Sequence, residues 1–250
     1  MARSAPTTVT SRAVFTPLDS GMRSDVVARR LAEAIRLGLL LDGERLPTES
    51  RLAAQLGVSI VTARDALATL RGMGLVETKR GRSGGSFVRS PAGTHSARLH
   101  APLRRLSLHD LRDMGDHRAA IAGAAAMLAA DRALEEDIAS LREHLDRLRA
   151  ADGLTERRRA DARLHVEIAA AAQSPRLTRE EISLWSQIGD LLWLPLVSRR
   201  EVVASVIAEH DELIDAIADE DGERARDLAS RHVDAETERL VNYRLELGAS

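Results

Sequence analysis

Three histidines and one aspartate are the side chains best able to do chemistry together in this chain. Asp161 and His165 stand four residues apart, so on a helix they share a face. His165 also begins an apolar stripe with Ile168, Ala169 and Ala172. His210 interrupts a stripe of Val203, Ile207, Ile214 and Ile217. His232 follows Leu228 by four residues and precedes Ala235 by three. Three imidazoles facing inward on three helices, one with a carboxylate beside it, make a candidate divalent-metal site. Such donors favour Zn²⁺ first, with Ni²⁺, Mn²⁺, Fe²⁺ or Co²⁺ as alternatives. The spacing equally admits three satisfied core histidines. Arg118 falls on the apolar stripe Leu111, Met114, Ile121, Ala125, Leu128. A buried guanidinium needs an anion, either a ligand's carboxylate or one from another helix. Asp113 and His117 repeat the four-residue spacing, but His117 lies beside its stripe. His95, His100, His109 and His144 read as linker or surface, and the arginines at 157–159 as a solvated face.

Helices must present those side chains. Ser107 and Asp110 stand at capping-box spacing where the Arg118 stripe begins. The next helical pattern, EEDIASLREHLDRLRAA, turns Ile138, Leu141, Leu145 and Leu148 inward. ERRRADARLHVEIAAAAQ carries Asp161 and His165. SPRLTREEISLWSQIGDLLWLPL is more apolar, and its two tryptophans read as core. Two further amphipathic segments carry His210 and His232. About six helices with short connections predict an antiparallel all-α bundle.

The front of the chain has a different pattern. Residues 24–40 place Val27, Leu31, Ala34 and Ile35 on one stripe. Thr48 is a good N-cap for a short helix that Gly57 ends. Ser59 caps the next helix, whose inner face is Val58, Ala63, Ala66, Leu67 and Leu70. Two helices across a tight glycine turn predict a helix-turn-helix. LVET and SFVR then flank the basic KRGRSGG, which predicts a two-stranded wing. A helix of this kind enters the major groove by its first turn, here Ser59, Ile60, Val61, Thr62 and Arg64. Arg64 is suited to guanine or phosphate and Thr62 to phosphate. Ile60 or Val61 is suited to a thymine methyl. Arg51, Lys79, Arg80 and Arg82 are candidate phosphate contacts.

Composition narrows the classes. The 250 residues are 44% hydrophobic and 30% charged, a globular balance. Residues 1–103 hold 15 Arg or Lys against 8 Asp or Glu, whereas residues 104–250 hold 21 against 30. A basic front on an acidic remainder fits a polyanion partner for the first part. Cysteine is absent, which excludes disulfides, thiolate zinc sites, iron–sulfur clusters and cysteine nucleophiles. Aromatic residues at 2% leave few stacking platforms for single-stranded nucleic acid. The N-terminal stretch lacks a signal-type apolar core, and the alanine-rich run at 119–130 is too short to cross a bilayer. A cytoplasmic setting without a membrane partner is expected.

LPTESRLAAQLGVSIVTARDALATLRGMGLVETKRGRSGGSFV resembles the winged helix-turn-helix of the GntR family of bacterial transcription regulators. The shared pieces are L-P-x-E, A-x-x-L-G-V-S, T-x-R-x-A-L, and G-L-V followed by a glycine wing. The chain departs from that pattern at Ser50 and Ile60, where the family often has DNA-contacting arginines. The acidic half resembles the FCD-type ligand-binding domain of the FadR subfamily. Arg118, the D-x-x-x-H of Asp161 and His165, His210 in EHDELIDAI and the Ala225-to-His232 spacing carry that likeness. The resemblance implies that Asp161, His165, His210 and His232 hold a metal and that Arg118 helps to bind a carboxylate effector. Ala122 and Ser174 stand where a glutamate and an asparagine are usual.

The expected organisation is a flexible arm at 1–20, a winged helix-turn-helix at 21–90, a linker at 91–104 and a helical metal- and effector-binding domain at 105–246. The expected function is a transcription regulator, a repressor as is commonest in the family. It would bind a palindromic duplex operator as a homodimer and answer to a small organic acid. An enzyme is not expected. A different reading makes the helical half a metal hydrolase with a DNA-binding appendage, with Glu167 or Glu209 as its base. No H-E-x-x-H supports it.

Overall fold

A computed structural model describes residues 24–81, 84–89, 96–196 and 200–249. The chain divides into two compact units, Met1–Ala92 and Gly93–Ser250. The expected arm at 1–20 and Arg82 lie outside the described residues.

In the first unit, α1 (Ser24–Arg36) buries Val27, Leu31, Ala34 and Ile35, the stripe its spacing predicts. The Arg51 backbone N–H donates to the Thr48 hydroxyl and so caps α2 (Glu49–Leu56). Gly57 ends α2 at φ +67°, a left-handed conformation that costs other residues about 1–2 kcal/mol. Ser59 then caps α3 (Ile60–Gly72), accepting from the Thr62 N–H at 3.0 Å. Each cap contributes about 1 kcal/mol. α3 buries Ala63, Ala66, Leu67 and Leu70 and packs on α1 and α2. Those contacts leave its first turn facing outward. β1 (Val76–Lys79) and β2 (Gly85–Val88) pair antiparallel, with Val76 opposite Val88 and Lys79 opposite Gly85. Arg45 braces this hairpin by donating to the Gly84 carbonyl at 2.6 Å.

The second unit is all helical in its described residues. It holds α4 (Ser96–Arg105), α5 (Leu108–Arg132), α6 (Glu135–Ala150), α7 (Leu154–Ala171), α8 (Pro175–Leu192), α9 (Arg200–Ala218) and α10 (Gly222–Ala249). A 3₁₀ turn, Leu194–Leu196, follows α8. α4 corrects the sequence reading, because it occupies most of the expected linker. Leu99 and Leu103 are buried, and His100 Nε2 lies 3.0 Å from the Tyr243 hydroxyl of α10. That burial outweighs the hydrogen bond which Pro102 removes from the helix interior.

α5 begins with the expected capping box between Ser107 and Asp110. It pairs with α10 more extensively than any other two described helices pair. Gly115 faces Thr237 and Gly123 faces Ser230, so the two helices run antiparallel. A Cβ added at Gly115 would collide with the Thr237 side chain. α7 packs against α5, α6 and α8. It is accordingly buried over most of its surface, from Asp161 through Ala171. Within its first turns Arg158 is buried too, with Nε 3.0 Å from Asp190. The arginines at 157–159 therefore do not form a solvated face. His144 on α6, expected at the surface, is also buried, with Nε2 3.6 Å from Glu167. No helix of the described residues is long and apolar enough to cross a membrane.

Candidate functional site

α7, α9 and α10 bring the four expected metal-binding side chains together. Asp161 and His165 come from successive turns of α7, His210 from α9 and His232 from α10, and all four are buried. His165 Nε2 lies 3.1 Å from His210 Nε2. Asp161 Oδ1 lies 3.3 Å from His210 Nε2 and 3.8 Å from His165 Nε2. The three imidazoles offer nitrogens within 4.8 Å of one another. A tetrahedral zinc site with bonds of ~2.0–2.1 Å needs ligand atoms about 3.3 Å apart.

The hydrogen bonds around the cluster fix which nitrogen points inward. His210 Nδ1 lies 2.8 Å from the Val206 carbonyl, which only accepts, so Nδ1 carries the proton and Nε2 presents its lone pair. His232 Nδ1 donates to Glu209 at 2.7 Å, and Nε2 has no hydrogen-bond partner among the described residues. Trp193 Nε1 donates to Asp161 Oδ2 at 2.8 Å, while Oδ1 accepts no hydrogen bond there. Two orphaned buried atoms, Asp161 Oδ1 and His232 Nε2, thus belong to a cluster in which Asp161, His210 and His232 are each bonded on the outer side. Nitrogen and oxygen donors with anchored second atoms fit a divalent cation.

Electrostatics make two of the three imidazoles neutral donors, whereas His232 must give up a proton to bind a cation. Burial lowers the His165 imidazole well below its usual range and takes His210 down to about 3, so both are neutral donors. Burial also presses on His232, but Glu236, Glu209 and Asp161 together outweigh it and hold this imidazole above its usual value. Burial pushes the Asp161 carboxyl up to about 7. A cation offsets such burial by supplying the missing positive charge.

Arg118 is 2% exposed and already has an anion. Its Nη2 donates to Glu236 Oε2 at 2.9 Å, which is the structural ion pair that the sequence left as one of two outcomes. Arg118 Nε and Nη1 have no partner among the described residues. The guanidinium also lies over Trp185, 5.3 Å from the ring centre. Sequence reasoning missed two carboxylates here. Glu236 stands four residues after His232, so the helical repeat could have found it. Glu181, buried on α8, accepts from Trp185 Nε1 at 2.9 Å and is pushed up to about 7 by burial. Both tryptophans are core residues, yet each donates its ring N–H to a carboxylate of this cluster. The decoy His117 is exposed and lies 3.6 Å from Glu180.

The first turn of α3 carries a separate surface. Ile60 and Val61, side by side in that turn, are 49% and 61% exposed. The Thr62 hydroxyl is bonded to that of Ser59 at 2.9 Å. Arg64 is exposed and pairs with Glu49 at 2.9 Å. Arg51 and Arg80 are exposed. Lys79 pairs with Glu77 at 3.2 Å and lies over the Phe87 ring.

A basic winged helix-turn-helix joined to a helical bundle with a buried imidazole cluster defines a DNA-binding transcription regulator. The profile of the bacterial regulatory proteins of the gntR family matches residues 23–88, and that of the FCD domain matches residues 113–235. The Mycobacterium gastri chain named HTH-type transcriptional regulator RmpR is 39% identical over 236 residues, which cover 94% of this chain and 86% of that one. The Uxu operon regulator of Haemophilus influenzae is 27% identical over 83% of this chain and 78% of its own length. The solved structure of Escherichia coli McbR/YncC shares the fold with a TM-score of 0.53, at 22% identity over 88% of this chain and 97% of that one. The chain belongs to the GntR family, with an FCD domain as its second half.

Proposed function

We propose that this regulator is a metal-dependent sensor of a small organic acid and that it binds a palindromic operator as a homodimer, as a repressor. The reading rests above all on the convergence of Asp161, His165, His210 and His232, each with a donor atom turned inward. Those four residues would hold the cation, Zn²⁺ first, and the cation would supply a Lewis-acidic partner for a carboxylate. Arg118 would hold the same carboxylate, because guanidinium and carboxylate match in charge and shape. On DNA, the first turn of α3 would enter the major groove. Arg64 would exchange Glu49 for phosphate or guanine, and Ile60 or Val61 would pack on a thymine methyl. Arg51, Ser59, Thr62, Lys79, Arg80 and Arg82 would contact the backbone.

An acid that prefers one arrangement of the sensor helices shifts operator affinity by the coupling energy, typically about 1–3 kcal/mol or 5–150-fold. The two bases named for the hydrolase reading are otherwise engaged. Glu209 is engaged by His232 Nδ1, and Glu167 lies beside His144. The test is a gel shift of metal-loaded protein on promoter fragments next to its own gene, with and without a panel of small carboxylates. The reading predicts operator binding that one acid shifts at least fivefold and that Asp161→Asn makes unresponsive. Binding that no acid shifts, or metal-dependent turnover of the acid, sinks it.

A further inference from the structure

Glu236 lies outside the proposed ligand set, yet it stands between that set and Arg118. Its Oε2 accepts from Arg118 at 2.9 Å, with the two side chains 2% and 5% exposed. Its Oε1 lies 3.7 Å from His232 Nε2. Its carboxylate also shares a 4.8 Å group of donor atoms with Asp161 and His165. One carboxylate thus reaches both partners that an incoming carboxylate would need, the guanidinium and the imidazole cluster. The pairing is incomplete. Glu236 meets the guanidinium through a single nitrogen, whereas a carboxylate facing two N–H groups forms the stronger bidentate fork. Arg118 Nε and Nη1 have no hydrogen-bond partner among the described residues, so either one could complete that fork with Nη2 once Glu236 leaves it.

We propose that Glu236 is a built-in surrogate for the effector, filling the carboxylate position beside Arg118 until a small monocarboxylate displaces it. The inference rests on the acid-sensing reading above. It makes Glu236 the residue that sets how much acid the sensor needs, because every acid competes with a tethered carboxylate at high effective concentration. It also selects acids whose other groups, such as a neighbouring hydroxyl, add contacts that a glutamate side chain cannot make.

Glu236→Ala deletes a CH2–COO⁻ fragment, and free acetate is the matching probe. Acetate would be titrated into metal-loaded full-length wild type and E236A, against chloride at equal ionic strength. Calorimetry would read acetate affinity, and chelator competition would read metal affinity. The expected result is a loss of metal affinity smaller than that of His210→Ala, and acetate affinity at least tenfold tighter in E236A. Acetate should also raise the thermal midpoint of E236A more than that of wild type, because it restores an anion to a buried guanidinium. Glu236→Gln keeps the volume without the charge and should bind acetate more tightly than wild type, which serves if E236A does not fold. Retained metal with unchanged acetate affinity would overturn this inference alone. So would a metal loss in either variant as large as that of His210→Ala, since Glu236 would then be a ligand to the cation. Wild-type protein that holds no metal brings down the underlying reading and this inference with it.

Discussion

Removing the cation should soften the sensor unit and leave the wing unit unchanged. The perturbation is dialysis against a chelator, followed by titration with Zn²⁺. A ligand that binds only the folded state stabilises it by RT ln(1 + [L]/Kd), about 2.7 kcal/mol at a hundredfold excess over Kd and about 4.1 kcal/mol at a thousandfold. The proposed donors all lie on α7, α9 and α10, so that energy belongs to the transition of Gly93–Ser250. A domain of this size gains about 2–4 °C per kcal/mol, so a hundredfold excess raises the midpoint by about 5–11 °C. Scanning calorimetry of the whole protein follows both units at once. His210→Ala deletes one donor and Asp161→Asn deletes the charge, and each should abolish most of the shift. Glu209→Ala keeps all four donors but frees the His232 ring. Loss of such an outer partner costs about 10–100-fold in metal affinity, or about 1.4–2.7 kcal/mol. Its shift should fall between those of wild type and His210→Ala. No Zn²⁺-induced shift in wild type refutes the reasoning, as does a wild-type shift in both Asp161→Asn and His210→Ala.

Metal uptake should release protons, and more of them in acid. The Asp161 carboxyl, held up to about 7, is protonated at pH 6 and must ionise to bind the cation, whereas at pH 8 it is already ionised. Calorimetry in two buffers of different ionisation enthalpy counts the protons, and equal release at both pH values contradicts the assignment. His144→Leu should remove an acid-sensitive liability. Burial first, then Arg163 and Arg147, lowers this imidazole to about 4 from its usual 6.5, so the unfolded chain takes up a proton across that window and the folded one does not. Wild type therefore loses stability as pH falls from 6.5 to 4, by roughly 3 kcal/mol at most. The variant's advantage in thermal midpoint should widen over that range; a constant difference rejects the cause. Arg64→Ala should weaken operator binding and reduce the salt slope by about 1. Glu49→Gln should strengthen binding by freeing the same guanidinium, and opposite signs in a salt-titrated gel shift would rule out the contact.

The winged helix-turn-helix was legible because its determinants are local. Thr48, Gly57 and Ser59 act within three residues of where they stand, so their types announce the caps and the turn. The imidazole cluster was legible for a related reason: a histidine on an apolar stripe must face inward whatever the partner helix is. What failed depended on partners distant in sequence. Arg158 finds Asp190 on α8, and His144 finds Glu167 on α7, so neither pairing follows from its own helix. The segment around Pro102 has a breaker's composition, yet it is helical where it packs on α8 and α10, with Leu99 and Leu103 buried. On α5 the sequence stripe was read through Ile121 and Leu128, which are only half-buried. The closely packed face runs instead through Gly115, Ala122 and Ala129. Where two helices approach this closely, small size marks the interface better than hydrophobicity does.

The two proposed ligands would act on different helix pairs. His232 of α10 already bonds Glu209 of α9 at 2.7 Å, so these two helices are tied before any cation arrives. His210 is anchored within α9 itself, at Val206, and its position follows that helix as a body. A cation would therefore mainly strengthen the link from the α9–α10 pair to the Asp161–His165 turn of α7, where His210 already lies 3.1 Å from His165. An acid that displaces Glu236 would cut a different link, the Arg118 bridge from α5 to α10, near the level where Gly115 brings their backbones together. A cation that binds both arrangements of α5 equally shifts nothing between them, however tightly it binds. On this proposal the metal would be the frame and the acid the signal. Linkage then fixes a reciprocal measurement: whatever factor the acid imposes on operator affinity, operator DNA must impose on acid affinity.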